Sequence, residues 1–403
     1  MTREEVARNQ RERLFGAMVA AVAEKGYEAS TVADALELSG VSRSAFYAHF
    51  ANKDECLVAA AEALIEPMLA ALGEVAKLGG HPETVFERFL ELVQSEPAAA
   101  RVCFIDLHAA GEAGEAAADR ALEALTSLVV RLNAGAKGHA QLSPELARTL
   151  VGGLRKLIHT RLHRGTEGEL RALVPGLWSW LTSVEPPPVK LAAPRRQRPG
   201  GVGFEGYTPS ERIARAVAAV IAEKGYQAMN TDDIAARAAI SLSTFYAHFA
   251  DKRDAVLAAL EMGGAQMMAS AVPAARRAGS WEEGVRVLYE AMAAYFAAEP
   301  EMAQLALVGV YGAGPAALGR RDRVNDSLVA MLAPGFEENP DAPAVSAEAI
   351  GATVYALMRE QVRRKGPESL GAVVPLATYL TLVTFVGPKG ALEVANGDGG
   401  AKR

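Results

Sequence analysis

An all-α fold made of two copies of one unit is what this sequence predicts, and three observations predict it. Phe46-Tyr47-Ala48-His49-Phe50 recurs as Phe245-Tyr246-Ala247-His248-Phe249, and Ala23-Glu24-Lys25-Gly26-Tyr27 recurs as Ala222-Glu223-Lys224-Gly225-Tyr226, both shifted by 199 residues. Two identical segments at one fixed spacing mark an internal duplication. Half of the 403 residues are hydrophobic but only 6% are aromatic; Ala and Leu carry the apolar load, which suits packed helices better than sheets. Apolar positions then recur at helical spacing between cap residues and glycine stops.

In the first copy, Thr2 with Glu5 fits a capping box, and Val6, Leu14, Met18 and Val22 follow at roughly helical spacing until Gly26. A short helix should start near Ser30 or Thr31 and run through Leu38. Gly40 makes a tight turn, Ser42 caps a third helix to Ala48, and Asn52 opens a long fourth. Two short helices across a glycine turn form the helix-turn-helix pattern, whose second helix is the one that enters a major groove. Helices then start at Pro82, Pro97 and near Gly114. Ser143-Pro144 is a strong start for a helix that ends at Gly165, and a last one runs from Glu167 to about Val184. A linker from Pro186 to Tyr207 follows, rich in Pro, Arg and Gly. About 24 residues of such chain, from Glu185 to Thr208, span up to roughly 80 Å. Its Arg195, Arg196 and Arg198 read first as a solvated cluster and second as a phosphate-tracking arm.

The second copy starts at Thr208-Pro209-Ser210-Glu211. Later landmarks also repeat: Glu96-Pro97 as Glu299-Pro300, Asp119-Arg120 as Asp322-Arg323, and Gly165 as Gly366. The expected layout is a helix-turn-helix module over 1–53, a helical module over 54–185 and a linker over 186–207. A second helix-turn-helix module over 208–252, a second helical module over 253–388 and a disordered tail over 389–403 complete it.

The net charge is −6, so nucleic-acid binding must come from a local surface. Cys56 and Cys103 give neither a metal spacing nor a disulfide framework, which points to a reducing compartment. The N-terminus lacks an apolar signal region, and no uninterrupted apolar run is long enough to span a bilayer; a soluble, cytoplasmic protein is expected. No cofactor is implied, and no nucleophile–base pair, phosphate loop or metal cluster supports an enzyme.

Gly26-Tyr27, Ser30-Thr31-Val32, Asp34, Gly40-Val41-Ser42-Arg43-Ser44, Phe46-Tyr47, His49-Phe50 and Asn52-Lys53-Asp54 resemble the DNA-binding signature of TetR-family transcriptional regulators. Gly225-Tyr226, Asp233-Ile234-Ala235, Ile240-Ser241, Thr244-Phe245-Tyr246, His248-Phe249 and Asp251-Lys252 resemble it again. The resemblance implies two tandem units, each a three-helix DNA-binding module followed by a helical ligand-binding and dimerising module. There are departures. Ala35-Leu36 stands where the family usually has Ile-Ala. Met229 and Asn230 replace hydroxyl residues, Ala239-Ile240 replaces Gly-Val in the turn, and Leu242 replaces the common Arg.

On this reading Tyr47, His49 and Lys53, repeated as Tyr246, His248 and Lys252, donate to phosphate oxygens of double-stranded DNA and set register. The competing reading makes the Tyr and His half-buried corners; it is weakened because the Lys has no evident packing reason. Phe46, Phe50, Phe245 and Phe249 belong to the core. Thr31, Ser42, Arg43, Ser44 and Ala45 are the candidates to face bases or nearby phosphates, matched by Asn230, Ser241, Leu242, Ser243 and Thr244. Arg43 fits guanine acceptors; Leu242 can only touch a thymine methyl. Unlike readers predict an asymmetric operator.

Candidates to line an effector cavity are Phe86, Phe104 and His108 in the first copy, and Met292, Tyr295, Phe296, Met302 and Tyr311 in the second. Each reads first as plain core and second as a ligand contact, and a small, largely apolar effector is the ligand class such residues suit. The family pairs the last two helices of each subunit, here 144–164 with 167–184 and 346–365 with 367–386. That favours an intramolecular pseudo-dimer over a homodimer of chains. The function expected is a ligand-released repressor; a helical interaction protein with a degenerate DNA-binding fold is the alternative.

Overall fold

Cap and stop residues set the helix ends where the sequence puts them. The computed structural model describes residues 2–78, 81–135, 141–192 and 208–397, and every regular element among them is helical. The chain divides into two compact units, residues 1–178 and 179–403.

In the first unit α1 (Arg3–Lys25) starts on a reciprocal box between Thr2 and Glu5 and stops at Gly26, whose φ is +76°. α2 (Val32–Ser39) starts on a second box, Thr31 with Asp34, and ends at Gly40 in the left-handed region. Ser42 caps α3 (Arg43–His49) and Asn52 caps α4 (Lys53–Lys77). Each such cap contributes about 1 kcal/mol, which fixes short helices that would not persist alone. α5 (Pro82–Ser95), α6 (Pro97–Phe104), a 3-10 turn (Asp106–Ala110), α7 (Gly111–Gly135), α8 (Pro144–Arg164) and α9 (Leu170–Ser183) follow; the division between the units falls inside α9. Leu14, Met18, Phe46, Phe50 and Leu57 make one core, which continues into Val102 and Leu107 of the helical module. The three-helix head is thereby seated on its module: α1 packs on α6 as well as on α2 and α4.

The second unit repeats this order. α10 (Pro209–Ala228) starts on a Thr208–Glu211 box and is kinked at Gly225, φ +77°, the counterpart of the stop at Gly26. α11 (Thr231–Ala238), α12 (Leu242–His248) and α13 (Lys252–Arg276) complete the head and its long exit helix. α14 (Trp281–Ala298), α15 (Pro300–Leu307), a 3-10 turn (Gly309–Ala313), α16 (Pro315–Ala330), a short α17 (Ala333–Glu338), α18 (Ser346–Lys365), a 3-10 turn (Pro367–Val373) and α19 (Val374–Ala395) form the module.

Two expectations change. The tail placed at 389–403 begins as helix: Gly387, φ +71°, kinks the chain, Pro388 suits the first position beyond the kink, and α19 continues to Ala395. Residues 398–403 lie outside the described residues, as do 193–207 of the linker with Arg195, Arg196 and Arg198; 186–192 carry no helix. By length and composition, α4, α13 and the segment Pro367–Ala395 are long and apolar enough to cross a membrane, contrary to the sequence reading. In the last of these 67% of the apolar window is buried inside the fold, and a helix enclosed by neighbours is apolar on every side.

Candidate nucleic-acid interface and effector cavity

Both heads present the same surface built in the same way. Ser42 accepts from the Ala45 N–H at 3.2 Å and Ser241 from the Thr244 N–H at 3.1 Å. These caps leave Arg43 and Ser44, and Leu242 and Ser243, exposed on the first turns of α3 and α12; Ala45 and Thr244 are half-buried. Phe46 and Phe245 are fully buried beneath, and each holds the next Tyr edge-on, with ring centroids 5.3 Å apart in both heads. Tyr47 and Tyr246 remain 47% and 55% exposed, and the apolar Leu242 is 39% exposed. Arg43 lies over the Tyr47 ring at 5.7 Å. Tyr246 instead reaches Thr231 at 3.3 Å, a hydroxyl whose counterpart in the first head is Val32.

Thr31 and Asn230 are N-caps before they are anything else. Thr31 accepts from Asp34 N–H and Asn230 from Asp233 N–H, so Asn replaces the hydroxyl without loss of the box. The Lys25–Asp34 pair at 2.6 Å and the Lys224–Asp233 pair at 2.8 Å repeat as well; the Lys25 ammonium holds the Asp34 carboxyl down at about 2. His49 faces Gln10 at 3.4 Å and is half-buried, while His248 is exposed and faces Ser210 at 3.3 Å.

The lysines have a packing role that the sequence does not display. Lys53 donates to the carbonyls of Tyr27 (3.0 Å) and Ser30 (3.2 Å), and its ammonium lies 4.2 Å from the Tyr27 ring centroid. Lys252 donates to Tyr226 (3.2 Å) and Met229 (2.9 Å) and lies 4.6 Å from the Tyr226 ring. Each therefore has a structural reason: it binds the carbonyls of the loop before α2 or α11. A second repeated pair carries no motif in the sequence. Arg13 donates to the Ser39 carbonyl, and Arg212 to the Ala238 and Ala239 carbonyls, the latter at 2.9 Å. Both clasp the turn of the helix-turn-helix; the one signal for them is the matching 199-residue offset.

In the helical modules the candidates separate. Phe86 rests on Trp178 and Phe104 on Phe89. His108 is buried, with Nδ1 2.8 Å from Glu115 and Nε2 2.7 Å from Arg155; an Arg can only donate, so the imidazole accepts at Nε2 and donates from Nδ1. In the second unit Met292, Tyr295, Phe296 and Met302 line one cavity of about 690 Å³. Tyr311 does not line it; its ring lies against the guanidinium groups of Arg321 and Arg359, at 5.0 and 4.6 Å. Arg321, fully inside the fold, donates to Asp322 at 2.7 Å and to Tyr355 at 3.3 Å. Burial pushes the Tyr289 phenol up to about 12 and the Cys56 and Cys103 thiols up to about 12, so neither thiol is poised as a nucleophile. Among the described residues no cluster of three or more His, Cys, Asp or Glu could hold a metal ion.

The family model of bacterial regulatory proteins of the tetR family matches residues 17–60 and 213–259, which are the two heads. Among curated proteins there is no significant match. Solved structures with similarity include the fatty acid degradation regulator FadR from Bacillus halodurans, 18% identical over 44% of this chain and 96% of that one, TM-score 0.39. A TetR family transcription regulator from Marinobacter aquaeolei is 20% identical over 43% and 95%, TM-score 0.34. The TetR family regulator PfmR from Thermus thermophilus is 23% identical over 44% and 98%, TM-score 0.33. Each of the two units therefore carries a head that the tetR-family model matches, so the chain holds that head twice in one polypeptide.

Proposed function

We propose that the protein is a cytoplasmic repressor released by a small, largely apolar effector, and that one chain supplies both reading heads as an intramolecular pseudo-dimer on an asymmetric operator. The observation that carries this reading is the pair α3 and α12: the same cap, the same buried Phe, the same exposed Tyr, and a different first residue, Arg43 against Leu242. Tyr47, Tyr246, His49 and His248 supply phosphate donors that set register. Arg43 offers a fork to guanine, and Leu242 offers only a methyl contact. The cavity of the second module is the effector site. A ligand that fits one arrangement of the module better than another shifts the population toward heads that no longer fit the groove. α8 with α9 and α18 with α19 are the pairing helices.

The test is a footprint and gel shift on the DNA upstream of the protein's own gene, with salt titration. One 42.4 kDa chain per site, unequal protection of two unlike half-sites and a steep loss of affinity with salt are expected. Arg43→Ala should relax specificity on one half-site only, by about 1 to 3 kcal/mol. A strict palindrome with equal contacts, or four heads per site, overturns the pseudo-dimer. Absence of any specific complex leaves the interaction-protein reading, which Ala239 in a left-handed turn and the apolar Leu242 favour.

A further inference from the structure

The cavity of the second unit has a direction. Along α13 its lining begins at Ala259 and ends at Arg276, which at the helical rise is about 25 Å. Lining residues at one end, Leu305, Leu307 and Arg321, are buried; those at the other, Arg276, Ser280 and Ala330, are exposed. The space is therefore a long sleeve with a closed end and an open one. Its walls are apolar and close: a Cβ on Gly263 would come 3.2 Å from Met302, and one on Gly264 2.8 Å from Val324.

Its polar lining is mostly committed elsewhere. At the closed end Arg321 is engaged by Asp322 and Tyr355, and the Tyr355 hydroxyl lies 3.3 Å from the carbonyls of Ala306 and Leu307. Along the walls, Tyr289 meets Thr381, Tyr295 meets Gln266, Trp281 donates to Met331, and Ser280 caps α14. Two polar lining groups have no hydrogen bond among the described residues: the Asn325 amide, in the middle of α16, and the Arg276 guanidinium at the open end. Committed polar groups give a ligand nothing to exchange for its own hydration; uncommitted ones do.

We propose that this sleeve takes a single elongated amphipathic anion. An unbranched apolar chain fills the space between α13, α14 and α16, and an acid group lies at the mouth on Arg276. The closed end, where the buried Arg321 guanidinium is already paired with Asp322, takes the chain terminus and not the acid. The proposal rests on the second module being the effector site, and it goes further in naming the ligand's chemistry.

The probes are straight-chain carboxylates of increasing length and the matching alcohols, titrated into the full chain without DNA by calorimetry, with Trp281 fluorescence as a second readout. Affinity should rise about threefold to fourfold per methylene until the sleeve is full. Carboxylates should exceed the matching alcohols by about fivefold to tenfold. Arg276→Gln should abolish that preference and leave alcohol binding unchanged. Gly264→Leu should shorten the best chain, and circular dichroism checks that this variant stays folded. Compact polycyclic acids binding better than any chain, no saturable chain binding, or a carboxylate preference that survives Arg276→Gln would each overturn the proposal. Because no DNA is present, these failures are separate from a failure to bind an operator; chain binding that leaves operator affinity unchanged would sink the repressor reading and spare this one.

Discussion

The joint between head and helical module is built differently in the two units. In the first, the 3-10 turn after α6 carries Asp106, a buried carboxylate that accepts the Tyr27 backbone N–H beside Arg101. In the second, the same place in the turn is Gly309, where a Cβ would come 2.5 Å from the Ile221 side chain. One joint is a polar latch onto the loop leaving α1; the other is a close apolar contact on α10. Two residues on, His108 is held by Glu115 and Arg155, where Tyr311 lies against Arg321 and Arg359. Duplication has kept the scaffold and let the two joints diverge, so the units should respond to different variables.

The largest expected difference is in pH. Burial, only partly offset by Arg101 and the Tyr27 N–H, pushes Asp106 up to about 6, and its Oδ2 has no hydrogen-bond partner among the described residues. An unfolded Asp titrates near 3.9. The folded first unit therefore holds a proton that the unfolded chain releases between these values. That contribution is full below about pH 4 and is lost as pH rises through about 6, roughly 3 kcal/mol in all. Asp106→Asn should flatten this loss, and Gly309 gives the second unit no such term. Unfolding in denaturant at pH 4, 5, 6 and 7 checks it; a variant with the slope of the parent would show that the latch does not titrate.

A smaller effect separates structure from DNA contact at the repeated lysines. Lys53→Met and Lys252→Met keep the stem and remove the bonds to the loop carbonyls, and each should cost about 1 to 2 kcal/mol of head stability. If Lys53 acts only through the loop, the operator complex of Lys53→Met should regain its affinity under stabilising solution conditions and keep its salt slope. A salt slope lower by about one would show a phosphate contact instead.

Local chemistry is legible in the sequence and long-range chemistry is not. Thr2, Thr31, Ser42, Asn52 and their counterparts set helix starts through partners three residues away, and a single sequence displays such spacings. Lys53 and Arg13 bind carbonyls 23 to 26 residues away, so neither bond can be read from local spacing. Met292, Tyr295, Phe296 and Met302 stand out as candidate lining and do face the cavity, whereas Arg276 and Asn325 do not stand out at all. An exposed Arg and a mid-helix Asn have no periodicity that distinguishes them; what singles them out is that their neighbours' polar groups are already engaged.

The smallest effect tests whether the two turns are interchangeable. Gly40 and Ala239 occupy the same left-handed place, at φ +62° and +53°. A side chain in this region costs about 1 to 2 kcal/mol, while Gly costs some unfolded-state entropy. Ala239→Gly should thus stabilise the second head by about 0.5 to 1 kcal/mol. Gly40→Ala should destabilise the first by more than that, because its Cβ would also sit 3.0 Å from Arg13 Nη2, the group that clasps the Ser39 carbonyl. In the second head Arg212 already clasps both turn carbonyls with the methyl in place. Thermal unfolding of both variants decides the matter. Equal and opposite shifts would mean that Arg13 yields freely. A larger loss for Gly40→Ala would mean that its clasp, and not the glycine alone, holds the first turn.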